Sequence, residues 1–575
     1  MCWRIRAERR GAQDGRWRLG IAALLLIGAS ASRAASTTTS APEAMLADSL
    51  RREGVIAARA GNLAAADSLL ETALRLAPGS PPVHRALAGL RFLEQDWERA
   101  ADHAETAIAL GGADSSIVSL LGACRYLRGD PARALESWNR IGCPRVDSLS
   151  LASVPEARRP LLKGLLGVPP RGILEAGAYR RGLRRLGSLP SADAAALRLH
   201  PREDGSVSIE AVLSEAPALP RDPWSWGSIA ARAGLDRFAR VSAGGLLGRG
   251  ERIAIAGRWG SARQAAAVSL ALPANAALTV LSKVEHERES YTGASLAAPV
   301  EERTSLRLLA GGWRSGSLWL AGGATAEAAR AAGEPGEPSE HAGDGAHPGT
   351  GRPALRVGPA AAAGWLDPSE HLAVLLSASA PRGVANAAGY GAASLALAWR
   401  AAASEERSAV SLNARGALRA VSRGAPALEL AGAGSGSIRP FLLRSHDVTR
   451  GGRIDREALG SRFASAGIDL LGPGFWFGPA GLRFVLFTEG ASWKTATGSS
   501  RSAACGGVEA RIALAGGGGS LSIARAFGWT DRSASWSLSW SPPWPALPGS
   551  GGAGASGATG IDGLAAEAFG RGVSR

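Results

Sequence analysis

From about Gly250 to Trp540 the chain alternates apolar with polar or small side chains, one position after the next. Arg252-Ile253-Ala254-Ile255-Ala256, Val268-Ser269-Leu270-Ala271-Leu272, Ser317-Leu318-Trp319-Leu320 and Ser535-Trp536-Ser537-Leu538-Ser539-Trp540 each put one side-chain type on each face, as a strand requires. The runs recur in pieces of roughly ten residues separated by Gly, Pro and Ser turns, which predicts a transmembrane antiparallel β-barrel over 228–541. Upstream the period changes. Gly54, Ala88 and Gly122 recur every 34 residues, as do Ala66, Ala100 and Ala134, and Leu70, Ala104 and Trp138. Small residues at the first two positions let antiparallel helices approach closely and the third fills the groove between them, so 43–143 is predicted to be helical repeats.

Residues 144–221 follow neither pattern throughout. Val146–Leu151 reads as a strand and Gly172–Leu189 carries Leu174, Leu183, Leu186 and Leu189 on roughly one helical face. Ala192–Leu199 and Val207–Leu213 alternate about Asp204-Gly205, a dipeptide that turns a hairpin because it tolerates positive φ. A small α/β domain is predicted there. The fold class is thus multidomain, with all-α repeats, a small α/β domain and then the barrel.

Composition removes several classes. The 575 residues are 46% hydrophobic, with no apolar run long enough for a membrane helix. The short run Leu19–Ile27 follows Arg4, Arg6, Arg9, Arg10, Arg16 and Arg18 and precedes Ala31 and Ala34, so 1–34 reads as a secretion signal. Ala331–Pro353 reads as a long solvent loop, and 542–575 as a low-complexity tail. The net charge of +15 is almost all arginine, the only lysines being Lys163, Lys283 and Lys494, with no clustered basic stripe. A nucleic-acid partner is therefore not expected. Cys124 and Cys143 are either a disulfide or two buried thiols, while Cys2 lies in the signal and Cys505 alone in a strand.

Catalytic motifs are missing from the sequence. The histidines at 84, 103, 200, 286, 341, 347, 371 and 446 are scattered, with no metal spacing. No Gly-x-Ser-x-Gly elbow is present, and Gly516–Gly519 lacks the Lys-Ser/Thr of a phosphate loop. A non-enzyme without cofactor or metal is expected.

Three resemblances give these segments a context. The 34-residue pattern resembles three tetratricopeptide repeats, which implies a groove for peptides, periplasmic proteins or accessory partners; a rigid spacer is the other reading. Leu166-Gly167 through Leu189-Pro190, Leu197-Arg198-Leu199-His200-Pro201, Val207-Ser208-Ile209-Glu210 and Glu215-Ala216-Pro217 together resemble a POTRA domain. That resemblance implies a strand edge open to unfolded client polypeptides, here at Val207, Ile209 and Ala211. Gly245-Leu246-Leu247-Gly248-Arg249-Gly250-Glu251 resembles the first hairpin of the BamA/TamA superfamily of bacterial surface antigen barrels, with Leu270-Ala271-Leu272-Pro273 ending the second strand.

Two further marks are similar to that superfamily. Ile438-Arg439-Pro440-Phe441 resembles its Val-Arg-Gly-Phe/Tyr motif, in the loop that folds back into the lumen. Phe487-Thr488-Glu489-Gly490 resembles the strand motif whose acid pairs with the loop arginine. The resemblance implies a loop lock of Arg439, Phe441 and Glu489, in which a guanidinium holds a carboxylate bidentately. Pro440 stands where the family has glycine, and Glu489 where it has aspartate. About 16 strands are expected, eleven before the loop and five after it, around Phe463, Phe484, Arg511, Ile523 and Trp536. Trp259, Trp313, Trp365, Trp399, Trp476, Trp493, Trp529 and Trp540 fall near strand ends, as an interfacial girdle does. The family implies insertion, assembly or translocation of proteins in outer-membrane lipid, with the N-terminal domains in the periplasm. The alternative is a polysaccharide-export porin with periplasmic tetratricopeptide repeats, which needs an open polar lumen.

Overall fold

The computed structural model describes residues 41–541 except 152–158, 169–170, 203, 216–225, 228, 231–232, 235–236, 276–277, 293–299, 333–352, 368–369, 402–409, 424, 433–448, 478–479, 496–497, 515–519, 531 and 533. By density of contacts it forms two units. One holds the N-terminal helices, the first short strand and residues 168–176 and 198–210; the other holds 151–167, 177–197 and everything from 211 onward.

Six helices open the described chain: α1 (Ala41–Arg59), α2 (Leu63–Leu76), α3 (Pro81–Leu93), α4 (Trp97–Ala109), α5 (Ser115–Leu127) and α6 (Pro131–Asn139). They pair as consecutive hairpins, α1 with α2, α3 with α4 and α5 with α6. The recurrent small residues make the close approaches. A Cβ on Gly54 would stand 2.8 Å from Leu70 Cγ, and one on Gly122 would stand 2.1 Å from Trp138 Nε1, so both positions need a residue without one. Ala66, Ala88, Ala100 and Ala134 are fully buried.

A second feature shares the period. Gly61, Gln95 and Gly129 turn the chain with φ of 84°, 63° and 84°. The residue after each, Asn62, Asp96 and Asp130, then caps the next helix by accepting the N–H of Ala65, Arg99 and Arg133. Turn and cap therefore recur at the spacing that sets the packing.

The middle segment forms β1 (Arg145–Ser150), α7 (Arg159–Leu166), α8 (Ala176–Gly187), β2 (Ala192–Pro201) and β3 (Ser206–Glu215). The sheet order is β1-β3-β2, with β1 parallel to β3. Gly205 has φ of 82°, and the Asp204 carboxylate accepts from Ser206 N–H at 2.9 Å. The expected hairpin turn is there. Helix α7, only eight residues long, buries Leu162, Leu165 and Leu166 on one face and was not among the expected elements.

Most of the rest is one large antiparallel sheet. Its first strands are β4 (Phe238–Gly244), β5 (Arg252–Arg258), β6 (Arg263–Asn275), β7 (Leu278–Thr292), β8 (Val300–Trp313), β9 (Leu318–Ala332) and β10 (Ala354–Leu366). Next come β11 (Leu372–Ser379), β12 (Arg382–Ala385), β13 (Ala392–Arg400) and β14 (Ser411–Val421). Short strands β15 (Ala431–Gly432), β16 (Thr449–Arg450) and β17 (Arg453–Asp455) lie in a long connection. The last five are β18 (Leu459–Phe477), β19 (Ala480–Thr495), β20 (Ser500–Leu514), β21 (Ser520–Gly528) and β22 (Ala534–Ser541).

Both β11 and β12 pair with β10 in one running register, so they are halves of one strand interrupted near Pro381, which has no N–H to donate. Ten strands therefore precede the long connection and five follow it, fifteen among the described residues. The expected eleven arises when the two halves are counted separately. Leu270–Pro273 also falls in the third strand, β6, rather than ending the second. The strand order is that of a barrel, running from the last strand round to the first. Among the described residues no ladder register joins β22 to β4.

Candidate functional site

The large sheet is inside out relative to a water-soluble protein. Along β8, Arg303, Ser305 and Arg307 are buried, whereas Leu306 and Leu308 are exposed. Along β7, Glu285, Glu287 and Glu289 are buried and Val284 is exposed. The same reversal continues around the sheet at Ile255, Val268, Leu418, Ile468, Leu486 and Val508, all exposed. Period two puts charges on one face and aliphatics on the other. Lipid is the solvent that makes the aliphatic face favourable.

The buried charges satisfy one another. Glu287 takes Arg303 at 2.6 Å and is also held by Arg263, which reaches Glu289 at 3.2 Å. Arg307 and Lys283 meet on Glu285, at 2.7 Å and 2.8 Å. Glu327 of β9 takes Arg356 of β10 at 3.1 Å and the Tyr390 hydroxyl at 3.0 Å. Removing one member of such a set leaves a buried charge without its counter-ion, which costs about 3–5 kcal/mol.

A loop is tied into this network. After β14 the chain forms a single 3-10 turn, Ala427–Glu429. The Glu429 carboxylate accepts from Arg419 of β14 at 2.6 Å and from Arg303 of β8. Arg419 also donates to the Glu429 carbonyl at 3.1 Å. Glu301, also on β8, accepts the N–H groups of Ala427 and Leu428 at 3.3 Å and 3.2 Å and pairs with Arg456 at 3.3 Å. On the far side of the connection, Ile454 pairs with Tyr291 of β7, and the Arg456 guanidinium stacks on that ring at 5.0 Å. Strands β7 and β8 lie several places from β14 in the sheet order. Both ends of the connection therefore reach across the interior.

The expected lock is placed only in part. Arg439 and Phe441 lie outside the described residues. Glu489 is buried on β19 and pairs with Arg415 of β14 at 2.8 Å, with Cys505 Sγ 3.5 Å from its carboxylate. Of the contacts that the described residues make, those of Glu429 have the opposite polarity to the expected lock, an acid on the loop held by strand arginines, while Arg456 on Glu301 keeps the expected polarity with a different pair. The signal of the clamp was present in the sequence. Glu285-x-Glu287-x-Glu289 facing Arg303-x-x-x-Arg307 is a pair of charged ladders at period two, each on the face opposite the aliphatics.

The expected client edge is corrected. Val207, Ile209 and Ala211 are buried on β3, the central strand of its sheet. The hairpin was read correctly, but β1 pairs along the other side of β3 and removes the edge. The outer strands are also engaged. The Leu197 and Leu199 carbonyls of β2 accept the Tyr179 and Tyr126 hydroxyls at 3.0 Å and 2.6 Å. On β1, Val146 donates to the Gly172 carbonyl and Pro144 accepts from Leu174.

Of the expected girdle, Trp259, Trp365, Trp399, Trp476 and Trp529 are exposed near strand ends. Trp313 and Trp493 are buried and face inward, correcting their place in it; the Trp540 side chain is not described. Cys124 and Cys143 are thiols rather than a disulfide, and burial pushes the Cys124 thiol up to about 12. Among the described residues no group of three or more His, Cys, Asp or Glu is arranged to hold a metal ion.

No protein-family model and no characterised protein matches the sequence. Solved structures do resemble the fold. A crystal structure of BamA from Haemophilus ducreyi lacking POTRA domains 1-3 is 11% identical, with a TM-score of 0.40 over 68% of this chain and 82% of that one. CdiB from Escherichia coli is 12% identical, with a TM-score of 0.47 over 70% and 74% of the two chains. CdiB from Acinetobacter baumannii is 10% identical, with a TM-score of 0.45 over 68% and 72%.

Proposed function

We propose that the chain is a non-catalytic outer-membrane β-barrel protein that inserts or translocates other polypeptides. One observation carries this reading: an aliphatic outer face surrounds a lumen packed with ion pairs and crossed by the loop that Glu429 and Glu301 anchor. A passive polysaccharide porin needs an open polar lumen, and the clamp from Arg303 through Glu429 to Arg419 obstructs it. In this reading the helical hairpins are tetratricopeptide repeats that receive client polypeptides or accessory periplasmic proteins. The β-α-α-β-β segment is a POTRA-like module joining them to the barrel, and its engaged edges make the repeats the better site of first contact.

Depletion of the protein is the test. The protein is expected in the outer-membrane fraction, migrating faster in gels unless boiled, and its depletion should lower the amounts of other barrel or surface proteins there. Unchanged outer-membrane proteins together with lost extracellular polysaccharide would overturn the proposal in favour of an export porin.

A further inference from the structure

Helix α8 lies against the short turns of the large sheet. Arg184 pairs with Glu370 in the β10–β11 turn, and its guanidinium sits 5.7 Å from the Trp313 ring centroid. Arg185 donates through Nε to the Trp313 carbonyl at 3.1 Å. Arg314 is the next residue in the chain and is exposed. Arg181 stands one helical turn before Arg185, on the same face of α8. Three guanidinium groups therefore gather about the β8–β9 turn.

Their surroundings are not balanced by acid. The charged groups acting on Arg185 are Arg181 and Arg314, both cations, and together with burial, the larger cause, they hold its guanidinium below the ordinary value. Among the described residues Arg181 and Arg314 have no carboxylate partner. Nearby Glu370 is taken by Arg184 and Arg400, and Asp367 acts on Arg184. The C-terminal end of α8 supplies at most about half a negative charge, which does not offset three cations.

The level of the cluster identifies what balances it. Leu318, just past the turn, is paired with Trp365, and Trp399 is paired with Leu372 at the same end of the sheet. Trp365 and Trp399 are both exposed. Outward tryptophans at strand ends mark the headgroup layer of a bilayer. We infer that Arg181, Arg185 and Arg314 form a binding site for the phosphate of an anionic phospholipid headgroup at the short-turn end of the barrel.

Native mass spectrometry of the full-length protein in detergent, titrated with phosphatidylglycerol or phosphatidylcholine, tests the site. Wild type should retain phosphatidylglycerol in preference to phosphatidylcholine. Arg181→Gln with Arg314→Gln should weaken that retention by roughly fivefold for each arginine removed, and Arg181→Lys with Arg314→Lys should restore part of it. Equal retention by wild type and the double glutamine variant would overturn the inference, as would equal retention of the two lipids. Displacement of phosphatidylglycerol by an equal concentration of inorganic phosphate would assign the site to the free anion and overturn the lipid reading. The inference rests on the barrel lying in a membrane. Faster gel mobility before boiling, in wild type and variants alike, separates loss of the site from failure of that premise or of folding.

Discussion

Leu93 on α3 and Leu308 on β8 are both exposed, 56% and 41%, yet what lies behind each is opposite. Behind the exposed faces of the helical hairpins lie Ala100, Ala104, Leu87 and Leu121, a hydrophobic interior. Behind Leu308 lie Arg303, Arg307, Glu285 and Glu287. In the helices an exposed leucine is an incidental surface residue. In the sheet it is one of a continuous set, and the buried face has taken the charges that a water-soluble protein turns outward. Periodicity reports which residues share a face. Only the chemistry of both faces together reports which solvent each face meets.

The contrast is broken most severely from inside. Arg303→Met keeps the bulk but leaves Glu287 and Glu429 short of a cation, so the barrel should lose about 3–5 kcal/mol. The temperature at which the fast-migrating gel band disappears should fall, and conductance in planar bilayers should rise as the loop loosens. An unchanged transition would mean that the network does not hold the loop.

The next test uses one substitution in both regions. Leu308→Arg should cost about 2–4 kcal/mol if its face meets the bilayer midplane, whereas Leu93→Arg should change stability by no more than about 0.5 kcal/mol. Comparable costs, measured by urea unfolding in detergent micelles, would erase the difference between the two surfaces.

The smallest effect is confined to the helices. His84 Nδ1 and His103 Nδ1 are 3.2 Å apart, and His84 Nε2 lies 2.9 Å from the Pro78 carbonyl. Burial first, and then His84 and Arg91, hold His103 below its ordinary 6.5, while Glu71 and Asp102 act in the other direction. A base whose folded value is depressed contributes stability that is complete above about 6.5 and lost as pH falls through the folded value. Proteolysis within 41–139 should therefore speed up between about pH 7.5 and pH 5.5, and His103→Gln should remove that dependence. Cleavage with the same pH profile in the variant would contradict it.

Much of the architecture was legible because its cause is local. Gly54 and Gly122 face Leu70 and Trp138 since nothing larger fits there, and a 34-residue period repeats that constraint. The strands β18 to β22 were legible because each carries an alternating stretch, although β18 is interrupted between Gly460 and Arg462 and between Leu471 and Gly474. What escaped depended on partners distant in sequence. Whether β3 is an edge is decided by β1, some sixty residues earlier. The role of Glu429 is decided by Arg303, which lies 126 residues away. No local pattern around Ala427-Leu428-Glu429 announces it, although the charged ladders on β7 and β8 show that the lumen needed counter-ions.

The number of strands has a consequence of parity. Every step of the described meander from β4 to β22 reverses direction, so among the described residues its fifteen strands leave the first and the last pointing the same way. Where two such strands meet, their ladder is parallel, with slanted bonds and slightly less stability per residue than in the antiparallel joints around the rest of the ring. Under strain a ring parts at its weakest joint. Chain direction therefore singles out β4 and β22, which no described register joins, as the edges at which the described sheet is least secured.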